Sequence, residues 1–268
     1  MDRISDSDEA LFFVSWGAIM KNLVMTVSYD GTGYYGFQTQ PGGNTIQDRI
    51  EESIRHLTGE AVTIIASGRT DAGVHARAQV FNFHTNSAIP VERWALALNS
   101  RLPPDIRILE ARMADPGFHA RKSAKRKTYR YTINCGKFPD VFQRFYQFHH
   151  PTPLDVEAMR HALKALIGEH DFTSFCSPAS NKLSHVRTIY DARIELAENG
   201  AGGKLLHVFV TGNGFLQHMV RIIVGTLLEV GEGKRPPDEM ARILEGKNRM
   251  LAGPTAMPHG LMLWEVVY

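Results

Sequence analysis

The sequence predicts an α+β fold assembled from two related units. Segments with a two-residue apolar period and segments with a 3.6-residue period alternate along the chain. The order strand, helix, strand, strand, helix, strand fills the first half, and a similar order recurs in the second. No low-complexity linker or strict repeat separates them, so the boundary is expected near Pro116 to Ala124.

The elements follow in order. The acidic residues 1–19 lack sustained periodicity and read as a disordered leader, with the fold starting at Met20. Leu23 to Tyr29 alternates as a strand. Ile46, Ile50, Ser53, Ile54 and Leu57 mark one face of a helix, capped by Thr45 with Asp48 and stopped by Gly59. Val62 to Ala66 and Gln79 to His84 are expected strands around a polar, glycine-rich loop. Val91 to Ser100 then reads as a helix and Ile106 to Met113 as a strand. In the second half Lys127 to Asn134 is a strand. A helix capped by Asp155 runs through Met159, Leu163 and Leu166 to Gly168. Val186 to Leu196 and Leu205 to Thr211 are strands, Phe215 to Val230 and Pro237 to Leu244 helices, and Leu261 to Tyr268 a closing strand.

Composition excludes several classes. The chain of 268 residues is 43% apolar and 22% charged, as in globular proteins. No apolar run reaches the roughly 18–20 residues of a membrane span. Leu11 to Met20 follows acidic residues where a secretory signal carries basic ones. The cysteines, Cys135 and Cys176, form no Cys-x-x-Cys pair. A zinc site or disulfide framework is therefore not expected, and a reducing, cytoplasmic location is. The histidines also lack ligand spacing. The net charge of +2 is uninformative, but six of the ten residues from Arg121 to Arg130 are Lys or Arg with aromatic neighbours. Such a run is either a solvated face or a nucleic-acid surface.

One motif misleads. Gly31-Thr32-Gly33-Tyr34-Tyr35-Gly36 matches the dinucleotide-binding G-x-G-x-x-G after a strand. That fingerprint requires the glycines to open a helix, and Pro41-Gly42-Gly43 breaks the chain before any helix begins.

Three stretches carry chemistry. Gly68-Arg69-Thr70-Asp71-Ala72-Gly73-Val74-His75 sets a lone acid in a glycine-flanked loop. By spacing alone Asp71 reads first as an Asp bonding its own turn. The helix from Phe215 is apolar on nearly every side and therefore buried, yet contains Arg221, whose face is shared by Gln217, His218 and Gly225. A guanidinium there either snorkels to water, pairs with a structural acid, or holds a catalytic carboxylate. On the strand Lys127-Thr128-Tyr129-Arg130-Tyr131, Lys127, Tyr129 and Tyr131 share one face and Thr128 and Arg130 the other. Two core tyrosines, or a ring that stacks on a base beside phosphate-binding cations, both fit.

Together these stretches resemble the tRNA pseudouridine synthase A family from Met20 to Tyr268. Tyr29-Asp30-Gly31-Thr32, Gly36-Phe37-Gln38, Gly168-Glu169-His170-Asp171-Phe172-Thr173-Ser174-Phe175 and His218-Met219-Val220-Arg221 with Val224-Gly225 extend the match. The resemblance implies two ferredoxin/RRM-like halves, 20–120 and 121–268, sharing a continuous, mainly antiparallel sheet flanked by helices, with a basic central cleft. It implies conversion of uridine to pseudouridine at positions 38, 39 and 40 of the tRNA anticodon stem-loop by a homodimer, without metal or cofactor. It assigns the essential acid to Asp71, its ion-pair partner to Arg221, base stacking to Tyr129 and base expulsion to Arg69. Lys127 and Arg130 are the expected accessory RNA contacts. Phe37 departs from the Trp usual in the family, and residues 1–19 have no counterpart there. A non-catalytic tandem RRM-like module is the rival, and it gives Asp71 and Arg221 no purpose.

Overall fold

In the computed structural model, residues 20–198 and 203–268 are described; the expected leader, 1–19, lies outside them. Ten strands form one mixed sheet: β1 (Lys21–Tyr29), β2 (Ile65–Ala66), β3 (His75–Thr85), β4 (Ile106–Met113), β5 (Arg126–Asn134), β6 (Phe148–His149), β7 (Gly168–Asp171), β8 (Val186–Glu198), β9 (Lys204–Gly212) and β10 (Leu261–Val267). The main path is β4-β1-β3-β10-β5-β9-β8-β7; β2 adds to β3 and β6 to β5. Pairing is antiparallel except for β10 with β3 and β5 with β6. Helices α1 (Ile46–Thr58), α2 (Trp94–Asn99), α3 (Val156–Lys164), α4 (Met219–Gly231) and α5 (Glu239–Gly246) complete the α+β architecture.

The local rules hold where caps are strong. Thr45 and Asp48 make the reciprocal capping box of α1, Gly59 ends that helix at φ 74°, and Ile46, Ile50 and Ile54 are buried. Helix α4 is enclosed along nearly its whole length, as an apolar helix must be.

Other boundaries moved. Strand β3 starts at His75, earlier than the alternation from Gln79 implied, because β10 pairs with its first residues. Helix α4 starts at Met219, not Phe215, because His218 takes a left-handed φ of 62°. Gly168 opens β7 after α3 has ended at Lys164. The short strands β6 and β7 carry no alternation long enough to foresee.

Strand β10 positions the site. It lies between β3, where Leu263 aligns with Ala76, and β5, where Leu263 aligns with Tyr129. The loop preceding β3 and the middle of β5 are thereby brought to the same region of the sheet. On β9, Gly212 aligns with Lys127, so the chain leaves the sheet beside the basic strand just before α4.

Candidate active site

The loop carrying Asp71 is fixed by its neighbours. Ser67 N–H donates to Val80 O at 2.7 Å, and Gln79 Nε2 donates to Gly68 O at 2.8 Å. The buried Thr70 and Tyr29 hydroxyls meet at 2.8 Å. The segment that imitated a dinucleotide motif clamps the other side. Phe37 N–H donates to Thr70 O at 3.1 Å, and Gly73 N–H donates to Tyr34 O at 3.3 Å. A Cβ on Gly31 would lie 2.1 Å from Val74 O; one on Gly36, already at φ +92°, would lie 2.7 Å from Thr70 O. These glycines exist for contact with the acidic loop. Behind it, His75 Nδ1 lies 3.1 Å from Asp30 Oδ1, and its Nε2 contacts Phe145 O at 2.7 Å. Burial works to raise the Asp30 pKa, but hydrogen bonds from Thr32 and Tyr146 and the nearby His75 hold it below the ordinary value.

Arg221 Nη1 stands 3.2 Å from Asp71 Oδ2, with the arginine side chain 14% and the aspartate side chain 26% exposed. Arg221 Nε donates to Ala256 O at 2.8 Å, and Ala256 N–H returns to Arg221 O at 3.0 Å. One turn further, Gly225 admits the segment after α5: an added Cβ would sit 1.8 Å from Pro254 O. The room that Gly225 leaves is thus filled by the protein's own backbone. His218 Nε2 also approaches Asp71 Oδ2, at 3.7 Å. Both side chains address Oδ2, and Oδ1 has no hydrogen-bond partner among the described residues.

Tyr129 is buried and meets the Phe215 ring edge-on, with centroids 5.0 Å apart. Burial, reinforced by Tyr29 and Asp71, raises its pKa far above the ordinary tyrosine value, so the phenol stays protonated. Lys127, on the same strand face, donates to Ser67 O. Burial, then repulsion from Arg121 and Arg187, lowers its pKa to about 8. Repulsion from Arg121, with burial and then Arg69 and Arg187, also lowers that of Lys182. None of Arg69, Arg121, Lys127, Lys182 or Arg187 forms an ion pair among the described residues. Exposed Arg69, two residues before Asp71, joins this unneutralised group.

Arg130 does not join it. Its guanidinium stacks 4.0 Å from the Trp264 ring, which Arg77 also covers at 4.2 Å. Strand alternation sends Arg130 to the face opposite Tyr129, where its buried Nε has no hydrogen-bond partner. The sequence did not foresee the contact of Phe215 with Tyr129, nor Lys182 and Arg187, which belong to no local motif. For His218 the neighbouring Arg221 was a signal; its left-handed backbone was not readable. No cluster of three or more His, Cys, Asp or Glu able to hold a metal occurs among the described residues.

A single restrained carboxylate, an aromatic platform and a group of free cations on an α+β sheet define an enzyme that modifies a polyanionic substrate. The tRNA pseudouridine synthase family model matches residues 25–121 and 162–268. The tRNA pseudouridine synthase A of Geobacillus sp. (strain WCH70) is 50% identical over 249 residues, covering 92% of this chain and 98% of that protein. Those of Bacillus subtilis (strain 168) and Bacillus pumilus (strain SAFR-032) are 49% and 51% identical over 248 and 245 residues. They cover 92% and 91% of this chain and 98% and 97% of the respective relatives. The chain belongs to the tRNA pseudouridine synthase family and is an isomerase acting on tRNA.

Proposed function

We propose that the chain isomerises uridine at positions 38, 39 and 40 of the tRNA anticodon stem-loop, with Asp71 acting on the flipped nucleotide. The carrying observation is Asp71 held by Arg221 at 3.2 Å with Oδ1 left free. The reaction breaks the bond from ribose C1′ to base N1, turns the base and joins C5 to C1′. The proton on C5 leaves to solvent and N1 gains one, so the product is an isomer. Positive charge builds at C1′ during cleavage, and a fixed carboxylate answers it. Attack at C1′, addition at base C6 and removal of a sugar proton all use this same oxygen.

The remaining groups fall into place around the reaction. A stacked or paired uridine must leave its helix, at a cost of about a few kcal/mol. Exposed Arg69 enters the vacated space and binds phosphate. Tyr129 supports the flipped ring, and Lys127, with Arg121, Lys182 and Arg187, draws in the backbone. Phe215 fixes the Tyr129 ring from its edge. Closure of the site around the detached base prevents its loss to water.

The same reading takes 20–120 and 121–268 as the two halves and the working enzyme as a cytoplasmic homodimer. The free thiols Cys135 and Cys176 are consistent with a reducing compartment, and no helix among the described residues is long and apolar enough to cross a membrane. Incubation with unmodified tRNA, followed by chemical mapping of pseudouridine, tests the reaction and its positions. New pseudouridine outside the anticodon stem-loop alone would overturn the assignment of site. Sedimentation at micromolar protein tests the dimer.

A further inference from the structure

His218 also borders an open cleft of about 460 Å³, lined further by Pro178, Arg249, Met250 and Thr255. That volume falls within the ~300–1,000 Å³ of small-ligand sites. Its charges are unevenly matched. Glu229, at the cleft wall, is engaged by Arg235 at 2.6 Å. Arg249 makes only long contacts, Nη1 to Ala252 O at 3.2 Å and Nη2 to Thr255 Oγ1 at 3.3 Å. It forms no ion pair among the described residues. Arg249 therefore presents unused donors in the planar fork that suits a phosphate. At the lip Met250 is 84% exposed, a bare, adaptable apolar chain beside exposed Pro178.

We propose that this cleft holds the nucleotide adjoining the isomerised uridine, its phosphate on Arg249 and its base against Met250 and Pro178. The inference rests on the RNA reading above. Its geometry comes from His218, which lines the cleft and also approaches Asp71 Oδ2 at 3.7 Å. One side chain thus borders both sites, an arrangement suited to successive nucleotides of one strand once the target base has flipped. The cleft also touches the catalytic pair through its wall. Pro254 and Thr255 line it, and the next residue, Ala256, accepts the Arg221 Nε hydrogen bond at 2.8 Å. A nucleotide seated there bears on the segment that aims Arg221, so binding at the neighbour supports alignment at the target.

The test is a cycle between enzyme variants and anticodon stem-loop RNAs carrying an abasic residue immediately 5′ or 3′ of the target uridine. It is read as Kd on the Asp71→Asn chain, which needs no turnover, and as kcat/KM on the active chain. One of the two abasic positions is expected to weaken binding about tenfold. Met250→Ala should weaken binding of the intact RNA similarly, with no further loss from that abasic residue, because both remove one contact. Arg249→Ala should weaken both RNAs and Arg249→Lys should restore only part of the loss. Unchanged binding with both abasic RNAs, or losses from Met250→Ala and the sensitive abasic residue that multiply, would overturn the proposal. Since Met250 is exposed, its variant tests contact without disturbing folding. Failure of the active chain to form pseudouridine in the intact stem-loop would instead count against the function proposed above, and the Kd cycle would still decide the cleft.

Discussion

Asp71 and Arg221 lie 150 positions apart in sequence and 3.2 Å apart in space. The pairing is fixed from the arginine side, since Arg221 is also bonded to Ala256 through side chain and backbone. The acid is fixed in turn by the glycine segment that closes on its loop. Neither group has to search for the other when RNA arrives, which is the preorganisation that electrostatic catalysis requires.

Removing the guanidinium should therefore cost activity more than stability. A fully buried pair broken on one side loses about 3–5 kcal/mol, but Asp71 is a quarter open to solvent and water can answer part of its charge. Arg221→Ala should lower kcat/KM by about a hundredfold or more while the free energy of unfolding falls by only about 1–2 kcal/mol. Arg221→Lys should recover little activity, because an ammonium cannot bond both Asp71 and Ala256 with the same geometry. Steady-state kinetics beside thermal melts separate the two effects. A variant that melts far earlier but turns over normally would contradict the pairing's catalytic role.

Asp71→Asn keeps the shape of the loop and removes the charge. Pseudouridine formation should fall below detection, while tRNA affinity stays within about tenfold of the parent, since the free cations supply most of the attraction. Product mapping and filter binding on one preparation give both answers. Normal turnover in this variant would end the assignment to Asp71.

These sites were unequally legible in the sequence. Asp71 and Arg221 could be singled out because each breaks its surroundings: an acid between glycines, and a guanidinium in an apolar helix. Strand alternation on β5 separated Tyr129 from Arg130 before the structure placed Arg130 against Trp264. Arg187 and Lys182 were not legible, since only the fold brings Arg187 towards Lys127 and Lys182 towards Arg121 and Arg69. The start of β3 was hidden as well. It depends on pairing with β10, whose partner residues lie at the far end of the chain. The backbone of His218 was also hidden, because a left-handed non-glycine residue is set by tertiary contacts and not by local preference.

Lys127 gives the enzyme a pH signature. Its pKa falls from the ordinary lysine value of 10.5 to about 8 in the folded chain, through burial and then the repulsion of Arg121 and Arg187. Below pH 8 both folded and unfolded chains carry the charge, and the folded state bears its full penalty. Between about pH 8 and 10.5 the unfolded chain holds more protons, so this group's contribution to stability rises with pH. Lys127→Met should remove that rise, a difference on the order of 1–3 kcal/mol between the two pH limits. RNA binding runs the other way. A phosphate needs the protonated amine, so affinity for tRNA should weaken as pH passes 8 in the parent and less so in Lys127→Met. Denaturant melts and filter binding from pH 7 to 10 check both slopes; identical slopes in parent and variant would remove Lys127 from the RNA surface.

The glycine segment yields the sharpest test of how the acid is held. Gly31 has an ordinary backbone, so alanine there meets no conformational penalty of its own; the obstacle is Val74 O, which would lie 2.1 Å from the new Cβ. Either the 31–37 segment or the acidic loop must shift. The loop is tied at Thr70 to Tyr29 and Phe37, and at Val74 N–H to Asp71 O at 3.1 Å. Movement of Val74 is therefore transmitted directly to the residue that carries the carboxylate. A displacement near 1 Å is enough to cost about a hundredfold in rate. Gly31→Ala should reduce kcat by that amount, destabilise the fold by about 1–3 kcal/mol, and leave tRNA affinity close to that of the parent, because the free cations are untouched. Gly33→Ala is the control: a Cβ there meets nothing within 4 Å, and activity and melting should both stay near the parent. Equal losses in the two variants would mean that the segment acts through general flexibility and not through the close approach of Gly31 to the Asp71 loop.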